Sequence, residues 1–245
     1  MIKESQGDNQ FVVIVPAAGV GKRMLASCPK QYLTINKQSI LMLTTNRLLN
    51  HPNINKVILV LSDEDEYFEQ TELAQNTNIV RVSGGEERVN SVLNGLYAID
   101  VEKYPWVLVH DAARPCITHD DIDKIIEQCL SSNCGGLLAA EMVDTIKQNS
   151  EDNRNVVGCT IDRSNLWRAF TPQLYKTTEL TEAIVQGLAQ NLTITDESSA
   201  MELAGFPSLL VQGRRDNIKI TRPEDITLAT FYLEQQILAQ QVLDQ

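Results

Sequence analysis

The 245-residue chain predicts an α/β fold: a three-layer sandwich built on a mostly parallel sheet, with a projecting β-arm. Three observations predict it. Short apolar runs of the kind buried on both faces recur along the chain. Amphipathic segments of helical period lie between them. One hairpin-like stretch interrupts the alternation.

The apolar runs are FVVIVP (11–16), KVILVLS (56–62), IVRVSG (79–84) and WVLVHD (106–111). Each is six or seven residues long and rich in Val, Ile and Leu, the composition of a central parallel strand. In ERVNSVLNGLYAI, Val89, Val92, Leu93, Leu96 and Ile99 recur at three- and four-residue spacing and form one helical stripe. In THDDIDKIIEQCL, Thr118 with Asp121 three residues on imitates a capping box, and Ile122, Ile125, Ile126 and Cys129 make the buried face. A last helix is expected from TRPED onward, with Pro223 in its first turn. Between GGLLAAEMVDTIKQ and VVGCTIDRSNLW lies NSEDNRN, a polar tip. Two strands joined in this way do not make a βαβ unit, so residues ~142–164 are expected to project as an arm. A two-stranded ribbon is marginal alone, and a second subunit is the economical surface for it to pack on. No repeat, low-complexity stretch or linker divides the chain, which predicts a single domain over 1–245.

Net charge is −11. A surface this acidic repels nucleic acid and anionic lipid, so neither is expected as a partner. No apolar run approaches the ~20 residues of a membrane span. The polar leader MIKESQGDNQ has neither an apolar signal region nor a small-residue cleavage site, which predicts a frayed N-terminus on a cytoplasmic protein. The 5 cysteines are scattered and make no C-x-x-C pair, so disulfides and structural zinc are not expected. With 3 histidines and no H-x-x-H spacing, neither is a histidine metal site.

An anion site on an acidic protein has to be a local concentration of cations. VVIVPAAGVGKRMLASCPKQY (12–32) offers one: a strand, a loop of small residues, then Lys22, Arg23 and Lys30. It is not a P-loop, because Pro16 stands where the first Gly belongs and Arg23 where the magnesium-binding hydroxyl belongs. It is not a dinucleotide fingerprint either, since Gly19 and Gly21 are followed by Met24 and no acidic ribose ligand lies about 20 residues on. Instead, Ala17, Ala18, Gly19 and Gly21 keep the loop small enough for backbone N–H groups to approach a polyphosphate, and Arg23 and Lys30 can neutralise it. Asp111 ends the run WVLVH, which puts it at the carboxyl edge of the sheet, where ligands of open α/β folds gather. A carboxylate beside a triphosphate can ligate Mg²⁺ or cap the following helix.

PAAGVGKRM…CPKQY, GGEERVNSV, VHDAARP, DTIK, TPQ, TDESSA and DNIKITRPED follow one another in an order and spacing that resemble the 2-C-methyl-D-erythritol 4-phosphate cytidylyltransferases of the non-mevalonate isoprenoid pathway, over essentially residues 11–233. The resemblance implies a Rossmann-like three-layer sandwich of the nucleotide-diphospho-sugar transferase type. It implies CTP-binding roles for Pro16, Ala17, Ala18, Gly19, Gly85, Glu86, Ser91, Asp111 and Ala112, with Asp111 as the Mg²⁺ ligand. Gly85 and Ser91, with Ala17, would read cytosine. On the acceptor side it implies Arg114, Thr145, Arg163, Thr171, Thr195 and Lys219, and catalytic roles for Arg23, Lys30 and Lys219. Thr145 and Arg163 would reach from the arm into the neighbouring subunit of a homodimer. Glu86 stands where some relatives carry Asp.

Several of these residues have plainer readings. Thr195 can be the N-cap of DESSAMELAG. Lys219, alternately placed along an expected strand, can point either way. Arg88 can bind ligand, but an exposed first-turn arginine more often pairs with acidic neighbours, and it is left outside the set. The implied reaction transfers CMP from CTP to the acceptor phosphate and releases pyrophosphate. Such a nucleophile is already ionised at neutral pH, which agrees with the lack of a histidine pair. A cytidylyltransferase for another polyol phosphate, such as ribitol 5-phosphate, would share the CTP half. A non-enzymatic nucleotide-binding protein would have no reason to hold Lys30, Asp111 and Lys219 together. From the chain length, fusion to the next pathway enzyme is not expected.

Overall fold

The computed structural model describes residues 10–19 and 28–243. Its strands are β1 (Phe11–Pro16), β2 (Thr34–Ile35), β3 (Gln38–Ser39), β4 (Ile54–Leu61), β5 (Ile79–Ser83), β6 (Trp106–Val109), β7 (Gly136–Glu141), β8 (Ile146–Asn149), β9 (Val157–Ile161), β10 (Trp167–Lys176) and β11 (Leu209–Gln212). Its helices are α1 (Ile40–Leu49), α2 (Arg88–Tyr97), α3 (His119–Ser132), α4 (Thr177–Ala189), α5 (Glu197–Leu203) and α6 (Pro223–Leu243). Seven strands form the central sheet in the order β11-β7-β10-β6-β1-β4-β5. β1 runs parallel to β4 and β6, β4 to β5 and β11 to β7, whereas β10 is antiparallel to both its neighbours.

Alternation along β1 sorts the two faces. Phe11, Val13 and Val15 pack with Leu41 and Leu48 of α1 and with Ile122 and Ile125 of α3. Val12 and Ile14 turn the other way, into Val92 and Leu96 of α2, Leu180 and Ile184 of α4, and Met201 of α5. Strand residues pointing to opposite faces at period 2 are what make one sheet serve two helical layers. Gly95 lets α2 lie close, since a Cβ there would sit 2.8 Å from a methyl of Ile14. α6 covers a smaller cluster of Ile35, Ile40, Ala113, Cys116 and Ile220 through Ala229 and Leu233.

The expected arm is the separate antiparallel pair β8–β9. It hangs between β7 and β10, and its base is closed by the Met142 N–H donating to the Leu166 carbonyl at 2.9 Å. Two expectations need correction. Lys219 lies on no strand, because residues 213–221 are irregular and pair with the rest of the fold through single bonds such as Ile220 N–H to the Ala113 carbonyl, 2.9 Å. The N-cap of α5 is Asp196, whose carboxylate accepts the Ser199 N–H at 3.0 Å, and not Thr195. No helix among the described residues is long and apolar enough to cross a membrane.

Candidate active site

Strand order reverses between β1 and β6, and the crevice beyond their carboxyl ends is where an open α/β sheet receives a ligand. Leaving β1, Ala17 donates its N–H to the Val60 carbonyl at 2.8 Å, and Ala18 and Gly19 continue outward. Gly21, Lys22 and the expected catalytic Arg23 lie outside the described residues. The chain returns through Pro29 into a short turn, Lys30–Tyr32. There the buried Gln31 amide donates to the Ala17 carbonyl at 2.7 Å, tying the position of Lys30 to the end of β1.

A second small-residue turn follows β5. Gly84 N–H donates to the Leu61 carbonyl at 2.6 Å. A Cβ at Gly84 would collide with the Cβ of Ala18, so the two turns touch only because glycine stands there. Ser91, one turn into α2, accepts the Gly85 N–H at 3.0 Å and donates to the Glu87 carbonyl at 3.2 Å. Its hydroxyl therefore fixes the turn that borders the crevice.

Asp111 follows β6 and is held from behind by a buried relay. The His110 Nε2 faces the Arg114 carbonyl at 3.0 Å and so carries the ring hydrogen. Nδ1 is then an acceptor, and Thr171 donates its hydroxyl to it at 3.1 Å while accepting the Asp111 N–H at 3.0 Å. Burial lowers the His110 pKa to about 4, so the ring stays neutral. Among the described residues, three cations meet the Asp111 carboxylate: Arg88 Nε at 3.3 Å on Oδ1, and Arg114 Nε at 3.3 Å and Lys219 Nζ at 2.9 Å on Oδ2. Burial alone would raise the carboxyl pKa. Arg88, Lys219 and Arg114 override it and hold Asp111 ionised, well below the ordinary carboxylate range. Arg114 also donates to the Asn217 carbonyl at 2.8 Å, and the Asn217 amide donates to the Thr171 carbonyl at 2.8 Å, which closes the cluster.

Two cavities open from this cluster. One is lined by Pro16, Ala17, Ala18, Gly19, Lys30, Gly85, Glu86, Ser91, Asp111, Ala112 and Lys219. The other is lined by Arg114, Phe170, Thr171, Gln173, Thr195 and Asp196. Arg88, Asp111 and Lys219 border both. Every residue expected on the CTP side is thus brought to the first cavity, and Arg114, Thr171 and Thr195 to the second. Thr145 and Arg163 are exposed on the arm, at the ends of β8 and β9, and line neither.

Arg88, left outside the expected set, and Glu197, which no motif singled out, are joined beside Asp111. The Arg88 guanidinium donates to both Glu197 oxygens, Nη1 at 2.7 Å and Nη2 at 3.1 Å, while its Nε turns to Asp111. It does pair with acidic neighbours, but within the crevice rather than on an open helix surface. The two partners of the fork lie 109 positions apart, a separation that hides the pair from any local pattern.

A doubly wound sheet with small-residue turns and clustered cations at its switch point defines a nucleotide-dependent transferase of the α/β class. Comparison with known proteins makes this specific. A family model for 2-C-methyl-D-erythritol 4-phosphate cytidylyltransferase (IspD) matches residues 11–235, and the chain belongs to this family. It is 57% identical over 233 residues to the 2-C-methyl-D-erythritol 4-phosphate cytidylyltransferase of Colwellia psychrerythraea strain 34H, covering 93% of this chain and 96% of that one. Identity to the Aliivibrio fischeri strain MJ11 relative is 52% over 225 residues, 91% and 94% of the two chains. The crystal structure of the Francisella tularensis enzyme aligns with TM-score 0.78 at 37% identity, over 91% of this chain and 99% of that one. That of the 4-diphosphocytidyl-2C-methyl-D-erythritol synthase from Anaerococcus prevotii gives 0.79 at 29%, over 93% and 97%.

Proposed function

We propose that the chain transfers CMP from CTP to 2-C-methyl-D-erythritol 4-phosphate, giving 4-diphosphocytidyl-2-C-methyl-D-erythritol and pyrophosphate for isoprenoid precursor synthesis in the cytoplasm. Beyond family membership, one observation carries the reading: Arg88, Asp111 and Lys219 stand on the shared border of two cavities. Two polyanions bound one in each would meet at that border.

CTP occupies the cavity between the small-residue turns. Its base lies against Ala17, Gly85, Glu86 and Ser91, a slot walled by backbone and small side chains that admits a pyrimidine more readily than a purine. Pro16, Ala18, Gly19 and Ala112 complete its walls. The acceptor takes the other cavity, held by Arg114, Thr171 and Thr195. An oxygen of its phosphate attacks the α-phosphorus as pyrophosphate leaves. Because that oxygen is already ionised, the work is positioning and charge stabilisation. Lys30, with Arg23, steadies charge at the transferring centre and the departing pyrophosphate, and Lys219 holds reacting phosphate oxygens.

Asp111 is an ionised carboxylate, and no group of three or more potential metal ligands exists among the described residues. That donor set fits Mg²⁺ bound through one carboxylate plus nucleotide oxygens, not a site the protein could fill alone. Bound there, the cation would neutralise developing charge on the phosphates.

The whole chain acts as one nucleotidyltransferase domain that dimerises through the arm. Val143, Val156 and Val157 are exposed on this two-stranded ribbon, the kind of element that needs a packing partner. Thr145 and Arg163 would then complete the acceptor cavity of the partner subunit. Val157→Asp should sediment as a monomer, and retention of the dimer would remove the arm from the interface.

The deciding assay is pyrophosphate release with CTP and Mg²⁺, comparing methylerythritol 4-phosphate with ribitol 5-phosphate. Release with the first alone supports the reading. Release with ribitol phosphate keeps the CTP half and overturns the acceptor half, and no release with either overturns both.

A further inference from the structure

Arg88 is the first residue of α2 and Glu197 the first of α5, so their bond joins two helices at the mouth of the crevice. A helix staple would be the ordinary explanation. Its geometry, however, bears on Asp111. A guanidinium prefers to take a carboxylate with two parallel N–H groups. Arg88 stands between two carboxylates and gives its forked end to the buried Glu197. Asp111 receives only the single Nε contact, at 3.3 Å. Of the two Asp111 oxygens, Oδ2 faces both Arg114 and Lys219, whereas the contact of Oδ1 with a described side chain is the one long bond from Arg88.

We infer that Glu197 is a positioning residue which, by drawing the Arg88 fork to itself, keeps Oδ1 of Asp111 open to the divalent cation that accompanies the nucleotide. The inference rests on the reading of Asp111 as the metal ligand. Without the Glu197 charge, Arg88 is free to close on Asp111 through two nitrogens and compete directly with the metal. The charge balance acts in the same direction. Among the described residues, the ion-paired cluster sets three cations against two carboxylates, of which Glu197 is one. Neutralising Glu197 makes it more positive, which disfavours a divalent cation but favours a bare polyphosphate. The two ligands should therefore respond in opposite senses, which a lost helix staple would not produce.

The test is calorimetric titration of the full-length protein with CTP, once with Mg²⁺ and once with EDTA. The ratio of the two affinities measures the coupling between metal and nucleotide. Glu197→Gln should lower that ratio about tenfold, which is about 1.4 kcal/mol of coupling, with metal-free CTP bound as well as by wild type or more tightly. In Arg88→Met/Glu197→Gln, where no buried charge is left unpaired, the ratio should return to the wild-type value or exceed it. This second variant keeps the inference open to refutation if Glu197→Gln fails to fold. Equal losses of affinity in both titrations, or a double variant with the ratio still depressed, would overturn it. A wild-type protein whose CTP affinity ignores Mg²⁺ would instead remove the metal reading of Asp111 and this inference with it.

Discussion

Thr171→Val tests whether the threonine hydroxyl serves the fold behind Asp111. Valine keeps the branched shape and removes the one group that satisfies two buried partners. The Asp111 N–H loses its acceptor at 3.0 Å and His110 Nδ1 its donor at 3.1 Å. Thr171 is 4% exposed and His110 is fully buried, so water does not readily replace either bond. Each stranded polar group costs about 1–3 kcal/mol, so the variant should lose about 2–6 kcal/mol in urea unfolding. Thr171→Ser keeps both bonds and gives up one buried methyl, which costs about 1 kcal/mol. The same network fixes the His110 tautomer, so nitrogen NMR should find Nε2 protonated in wild type. If the valine variant is no less stable than the serine variant, the relay does not support Asp111, and the hydroxyl has to be explained by ligand contact alone.

Gly84→Ala should force apart the two turns that meet at Ala18. A stability loss of about 1–3 kcal/mol should accompany a CTP dissociation constant raised about tenfold, and wild-type calorimetry would refute the contact. Lys30→Ala should lower turnover about 100-fold or more with an unchanged unfolding midpoint, and near-normal turnover would remove it from the transferring centre. His51 is buried, and burial lowers its pKa despite the neighbouring Asp123 carboxylate. The unfolded chain then takes up the proton more readily. Stability from this group is complete above about pH 6.5 and is lost as the pH falls below it. His51→Gln should flatten that part of the unfolding-versus-pH curve, and an unchanged slope would place the titration elsewhere.

The strands β1, β4 and β6 were legible because strands covered on both faces are written as unbroken Val, Ile and Leu, whereas β5, expected to be a central strand of the same kind, is the edge strand of the sheet, half-buried and with Arg81 exposed. β10 was not legible. Its sequence WRAFTPQLYK carries Pro172 in the middle, which argues against a central strand. The structure accommodates it where the pairing with β7 shifts register between Ala169 and Gln173. α1 was equally hard to see, since it buries Thr44 and Thr45 beside its leucines and shows no clean polar face. At the site, residues in contiguous motifs were readable and long-range partners were not. DNIKIT looks like a strand because its apolar residues alternate, yet that segment is held by single bonds while Lys219 reaches Asp111. Asp196 and Thr195 are both good caps by type, and only backbone geometry chose between them.

β7 and β10 are adjacent antiparallel strands, and the arm is the connection between them. Topologically it is an enlarged hairpin loop, clasped at its root by residues 142 and 166. Such a loop can be lengthened, shortened or exchanged without changing the order of any strand in the sheet. The sheet that carries the small-residue turns is therefore topologically independent of the arm, and every residue of the arm other than Thr145 and Arg163 can be varied without altering a residue assigned to the crevice.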